Sequence, residues 1–341
     1  MGFREFSEES DSFGQDWLEI EMKMNVRIGA RVGALFSMVG LITACCRPNI
    51  PTGTLEIKYV ALGPSAVIHT PLMLCCDSKN NAIDVFYPAD LDQSGSPPRP
   101  VLTWGNGSFG NPDGVKYFLT HLASWGFVIV ATRDSMTGNG HTLLDALDLL
   151  RREELRPSSV FHNHLALNKI GALGHSQGAG GALNATIDSG GTILTVVTIE
   201  PPAHKWCLAN LQTCPDARKL TSGSVFFVDG SEDTLISPPT QPASVPGQES
   251  VAGFYAAVPT VVDKLKATLL RANHNDIAGR PKCPVGQIDC CVGVNGYLGY
   301  ITAWLVDRLQ GDASAHAAFV QGTGELFSQT TNWEYVASNI L

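Results

Sequence analysis

Apolar positions along this chain fall into two alternating rhythms. Residues 101–104, 126–132, 169–173, 193–199, 224–228 and 267–271 are short, nearly continuous apolar runs. Runs of that length suit strands buried on both faces, as in a parallel sheet covered by helices. Between them, residues 113–125 and 143–155 carry apolar side chains at helical spacing, and a last helix is predicted over 297–309. Residues 54–60 and 82–88 alternate in polarity and read as early, partly antiparallel strands, with the Pro- and Gly-rich stretch 93–100 as a turn-rich connector. Strand and helix in turn give an α/β fold with a mostly parallel central sheet flanked by helices. Residues 231–265 and 276–296 are loop-rich and are placed to cover a site, without forming a large separate lid.

The first 45 residues do not share this rhythm. Residues 1–21 are acidic and carry little periodic pattern, Lys23, Arg27 and Arg31 supply a basic stretch, and an apolar run follows over 32–42. It ends in Thr43-Ala44-Cys45. A basic segment, a short apolar segment and small residues make an export signal, and the run is too short for a spanning helix, which needs about 20 residues. Its ending resembles a bacterial lipoprotein signal, in which Cys45 would become the lipidated first residue; a plain cleaved signal is the alternative. Met22 or Met24 is the expected start, with 1–21 an extension. The expected organisation is therefore a leader over 1–45 and a single domain over 46–341, in the cell envelope or secreted.

Composition narrows the partners. The formal charge of −9 argues against nucleic acid. A chain of 341 residues buries a large core without covalent staples. Membrane contact is expected only through a lipid at Cys45, and the protein is expected to be a monomer. In an exported protein the remaining cysteines, Cys75, Cys76, Cys207, Cys214, Cys283, Cys290 and Cys291, are expected to form disulfides. Cys207 with Cys214, and Cys283 with Cys290 or Cys291, would each close a small ring. No C-x-x-C pair occurs, so a zinc site is disfavoured, and no metal or organic cofactor is implied.

The chemistry concentrates in Gly174-His175-Ser176-Gln177-Gly178, a G-x-S-x-G motif. The apolar run 169–173 leads in and the small-residue stretch 179–185 leads out, which is the strand–turn–helix context of a nucleophile elbow. A serine nucleophile needs a base, and the base needs an orienting acid. His274 follows the run 267–271 and is the expected base; His316 sits in an Ala-rich, surface-like tail. Asp233, past the run 224–228, is the expected acid, with Glu200 and Asp229 as rivals. An oxyanion hole needs two preorganised N–H donors. Gln177 is expected to give one and Ser108, in the glycine-rich loop 104–112, the other, with Asn106 or Phe109 as fallback. Phe109, His204 and Trp206 are candidates for a substrate wall.

Residues 104–108, 122–129, 174–178, 229–233 and 272–274, in this order over roughly 80–310, resemble the cutinase-like polyester hydrolases and the related dienelactone-hydrolase and chlorophyllase-like serine esterases. The resemblance implies an α/β-hydrolase fold and an exported carboxylic-ester hydrolase acting on small or polymeric, cutin-like esters through Ser176, His274 and Asp233. Three positions depart from the polyester hydrolases. Ser108 stands where those enzymes usually place an aromatic, Trp206 is displaced from their tryptophan, and Gln177 replaces a frequent methionine. The first two departures bear on polyester activity, not on ester hydrolysis. The alternatives are a peptidase or amidase on the same groups, and a catalytically silent surface-binding lipoprotein.

Overall fold

In a computed structural model that describes residues 49–72, 75–209, 214–279 and 293–341, the chain builds one twisted sheet with helices on both faces. All described residues fall within one compact unit, 47–341. Among them, nine strands run in the order β1-β2-β4-β3-β5-β6-β7-β8-β9. They are β1 (Val67–Pro71), β2 (Ile83–Pro88), β3 (Arg99–Gly105), β4 (Val128–Thr132), β5 (Leu165–His175), β6 (Ile193–Ile199), β7 (Ser224–Gly230), β8 (Asp263–Leu269) and β9 (Trp333–Ser338). From β4 through β8 every neighbouring pair is parallel, whereas β1, β2 and β9 pair antiparallel at the edges.

Each apolar run becomes a strand because its two faces meet two separate cores. Phe226 packs with Trp104, Phe118 and Trp304 on one side, and its neighbour Phe227 packs with Leu147, Leu183 and Phe254 on the other. Alternate residues therefore both bury apolar surface, which removes the polar face that a half-exposed strand would show. The helices that supply these cores include α2 (Lys116–Ser124), α3 (His141–Leu155), α4 (Gln177–Asp188), α6 (Val251–Ala257) and α7 (Asn295–Leu305), together with an N-terminal α1 (Thr54–Val60), while α5 (His204–Ala209) follows β6. The predicted helix 297–309 is realised as α7 continued by a π-helical turn, Val306–Gln310.

α1 overturns an expectation. Residues 54–60 read as a strand from their alternation, yet they form a helix that buries Glu56 and Tyr59 at i, i+3 spacing. The cause is remote in sequence. The carboxylate of Glu325 accepts the N–H groups of Leu55 and Glu56, at 2.9 and 3.1 Å, and satisfies donors that a helix N-terminus leaves open. Trp333 Nε1 donates to Glu56 at 2.9 Å and fixes the buried carboxylate. Other differences are small: the run 267–271 is the end of a strand that begins at Asp263, and the edge strands β1 and β9 fall on stretches with no strong apolar signal.

The expected 207–214 disulfide is a second difference. Cys207 and Cys214 are free thiols in hydrogen-bond contact, and the Cys214 thiol also lies 3.7 Å from the His204 carbonyl. Cys75 and Cys76 form a disulfide-like pair. Cys283, Cys290, Cys291 and the leader, with Cys45, lie outside the described residues. Among the described residues no helix is long and apolar enough to cross a membrane.

Candidate active site

Strand β5 ends at His175, α4 begins at Gln177, and Ser176 between them is held at φ 55°, ψ −130°. A serine in the left-handed half of backbone space is strained, and such strain persists only where the surroundings over-determine it. Here they do, by close approach of three backbone segments. A Cβ on Gly174 would sit 2.0 Å from the Gly178 carbonyl oxygen, and one on Gly178 would sit 2.3 Å from that of Gly105. Only glycine lets β5, α4 and the end of β3 meet this closely, and the turn lifts Ser176 to the C-terminal edge of the sheet.

Two loops at that same edge bring the other groups. The loop after β7 carries Asp233 and the loop after β8 carries His274. They are sewn together by the N–H of Glu232 donating to the Ala272 carbonyl at 2.9 Å. Ser176 Oγ lies 2.9 Å from His274 Nε2, and Asp233 Oδ2 lies 2.5 Å from His274 Nδ1. In the arrangement a neutral imidazole requires, Nδ1–H donates to the carboxylate and Nε2 accepts from the serine hydroxyl. Burial pushes the Asp233 carboxyl up, but the hydrogen bond and charge of His274 and the N–H groups of Ile236 and Ser237 more than offset it, leaving Asp233 below its ordinary value. It is therefore ionised at neutral pH.

The rivals are placed elsewhere. Asp229 is inside β7, where its Oδ1 accepts from Thr268 at 2.7 Å across the sheet. His316 pairs with Asp307. Glu200 is buried at φ 52° directly after β6, and its Oε1 accepts from the Tyr297 hydroxyl at 2.5 Å. One oxygen of Glu200, one of Asp233 and one nitrogen of His274 lie within 4.8 Å of one another. That trio has the donor types of a cation site, but two of its members already bond to each other.

The glycine-rich loop after β3 reaches the serine at Gly107, where an added Cβ would lie 3.2 Å from Ser176 Cβ. Ser108 follows directly. Its N–H and that of Gln177, the first residue of α4, meet no acceptor among the described residues, whereas the Phe109 N–H is already taken by the Ser135 carbonyl at 3.0 Å. The Asn106 side-chain amide donates to the Thr132 and Asp134 carbonyls and holds the loop. Of the two fallbacks, the Phe109 N–H is thus already engaged.

The three wall candidates are spread out. Phe109 is 82% exposed. Trp206 is half-buried, and its indole donates to the Leu235 carbonyl at 2.9 Å, two residues past Asp233. His204 donates from Nε2 to the Pro215 carbonyl at 2.7 Å, packs edge-on against Phe254 and lines a cavity of about 500 Å³ with Arg218, Gln241 and Gln248.

The residues flanking Ser176 inside the motif have side-chain roles that the sequence did not disclose. Gln177 Nε2 donates to the Ser135 carbonyl at 3.0 Å and its Oε1 accepts the Gly138 N–H at 3.1 Å, so it ties α4 to the segment that also holds Phe109. His175 Nε2 lies 2.6 Å from the carbonyl oxygen of His274. Burial, then the neighbouring charge of His274, pushes the His175 imidazole down to about 3, so it stays neutral and donates. The only advance signal was position: both residues sit within the motif. No protein-family model matches this chain, and no curated protein matches it.

Proposed function

We propose that this chain is a serine hydrolase of carboxylic esters with an α/β-hydrolase fold, similar to the cutinase-like polyester hydrolases and the dienelactone-hydrolase and chlorophyllase-like esterases. The observation that carries the reading is the relay itself. A strained serine at the sheet edge stands 2.9 Å from an imidazole, which in turn stands 2.5 Å from an ionised, buried carboxylate. Nucleophile, base and orienting acid in this order and reach are what acyl transfer through a serine needs.

The chemistry runs in two halves. Ser176 Oγ attacks the ester carbonyl carbon while its proton passes to His274 Nε2, and Asp233 stabilises the imidazolium. The uncommitted N–H groups of Ser108 and Gln177 receive the oxyanion. Collapse of the tetrahedral intermediate breaks the bond to the alcohol, which takes the proton from His274. Water then attacks the acyl-serine, His274 takes its proton and returns it to Ser176 Oγ, and the acid is released. Of the wall candidates, Trp206 is tied to the Asp233 loop through the Leu235 carbonyl, whereas His204 lines a cavity that includes none of Ser176, Asp233 and His274. The basic, apolar and small-residue pattern within 1–45 supports an activity outside the cytoplasm, secreted or held to a membrane by a lipid on Cys45.

A fluorophosphonate probe tests the reading, because it reacts with a serine only where a base activates it. The wild type should label at Ser176 and hydrolyse short p-nitrophenyl esters faster than peptide anilides. Ser176→Ala should abolish labelling and lower kcat by on the order of 10⁴–10⁶. Near-normal turnover by Ser176→Ala would overturn the proposal, and an unreactive wild type would favour a binding protein.

A further inference from the structure

Glu200 is a buried carboxyl group for which the two-step chemistry above has no use. It follows β6, between the serine on one side and the acid loop on the other, and its backbone is held at φ 52°. Its N–H donates to the Val228 carbonyl at 2.8 Å, which pins the residue to the end of β7. One carboxyl oxygen accepts from Tyr297, on α7, and the other is buried with no hydrogen-bond partner among the described residues. A glutamate that served only to fill space would be a costly choice, since an unpaired buried polar atom loses its solvation. Its surroundings give it a second meaning: it stands within 4.8 Å of both the acid and the base of the relay.

We propose that Glu200 is a positioning residue of this site, a reserve acid that stands behind Asp233 and takes over the orientation of His274 when Asp233 is neutralised. The inference rests on the ester-hydrolase reading of Ser176, His274 and Asp233. The groups facing Glu200 are Asp233 and His274 from the two catalytic loops, Asp229 from β7 and Tyr297 from α7. Behind them, Lys266 and Glu334 act on Asp229, and Asp276 acts on Tyr297. Burial first, then the negative charges of Asp233 and Asp229, hold Glu200 well above the ordinary carboxylate range. It is therefore neutral while Asp233 is charged. Only one carboxylate then acts on His274, which a close pair of ionised acids would prevent. Removing the Asp233 charge lifts one of the two repulsions, and Glu200 ionises more easily, helped by the Tyr297 hydroxyl that already donates to it.

A double-mutant cycle read across pH tests this on the purified full chain with a short p-nitrophenyl ester. Asp233→Ala should lower kcat/KM by on the order of 10³–10⁴ near neutral pH. The residual activity should then rise with pH, by at least about tenfold across the profile, as Glu200 ionises. Asp233→Ala/Glu200→Gln should lack that rise, so that Glu200→Gln costs at least about tenfold more in the Asp233→Ala background than in the native one. Tyr297→Phe in the Asp233→Ala background should move the rise to higher pH. Equal costs of Glu200→Gln in both backgrounds, or parallel profiles for the single and double variants, would overturn the reserve role while leaving the hydrolase reading intact. A wild type inert toward both the ester and the fluorophosphonate would overturn both.

Discussion

The imidazole of His175 donates its Nε2–H to the backbone carbonyl of His274 across 2.6 Å, so the residue before Ser176 holds the loop that carries His274. The two rings also lie 4.8 Å apart, tilted by 46°. The segment at Ser176 and the loop of His274 are thus joined twice, once through the Ser176 hydroxyl and once through this link. His175→Leu leaves a carbonyl unpaired and frees the His274 loop to drift; misplacements of about 1 Å in such sites cost roughly 100-fold. The expected outcome is a 10- to 100-fold fall in kcat, by that reasoning, with KM little changed. His175→Gln, which offers an amide N–H, should recover much of the loss. Steady-state kinetics on short p-nitrophenyl esters checks both.

Gly178 is the second pressure point. With a Cβ there only 2.3 Å from the Gly105 carbonyl oxygen, and backbone on both sides, Gly178→Ala has nowhere to relax. Overpacking usually costs about 1–3 kcal/mol, and this position should lie at or above the upper end. Circular-dichroism melting should show a marked loss of Tm, and fluorophosphonate labelling of Ser176 should fall with it.

His121 predicts an acid limit to stability. It is buried, with Nε2 3.0 Å from the Tyr59 carbonyl oxygen and 3.1 Å from Thr302 Oγ1, and burial pushes its imidazole from an ordinary 6.5 down to about 4. The folded state therefore resists a proton that the unfolded chain accepts. Between those two values the unfolded state binds more protons, so stability rises with pH there and is unaffected by this group above about 6.5. The shift is worth about 3 kcal/mol once pH has fallen to about 4. His175, also depressed, adds a contribution of the same sign. Urea unfolding near pH 7 and pH 4.5 should show the loss, and His121→Gln should shrink the difference.

Glu325 predicts how the N-terminal helix is held. Its carboxylate takes the Leu55 and Glu56 N–H groups and the Tyr300 hydroxyl. Glu325→Ala takes the acceptor from all three donors and should cost about 1–3 kcal/mol. Hydrogen exchange should quicken at residues 54–60 while the labelling of Ser176 stays as it was. Unchanged protection there would mean that packing alone holds α1.

Much of the sheet was legible because a strand buried on both faces leaves a local trace: 126–132, 193–199 and 224–228 are apolar regardless of what surrounds them. The edge strands β1 and β9 leave a weaker one, since only part of their surface meets a core. Residues 54–60 misled for a related reason. Their alternation is local, but the carboxylate that makes them helical comes from Glu325, some 270 residues away. The 207–214 pairing also rested on spacing, and spacing does not fix how two sulfurs meet.

The sequence by itself determined the α/β layering, the strand–turn–helix around Ser176, and the order in which an acid and a late histidine follow it, because each depends on short stretches of apolar and small residues. Only the tertiary structure set Asp229, Asp233 and Glu200 apart. All three carboxylates lie at or just beyond strand ends and look alike in one dimension. In three, Asp229 turns into the sheet toward Thr268, Glu200 is shut away against Tyr297, and Asp233 alone reaches the His274 ring as a hydrogen-bonded acceptor. The His175 link to His274 was likewise invisible, for it spans 99 positions of chain and exists only because the loop after β8 folds back over the elbow.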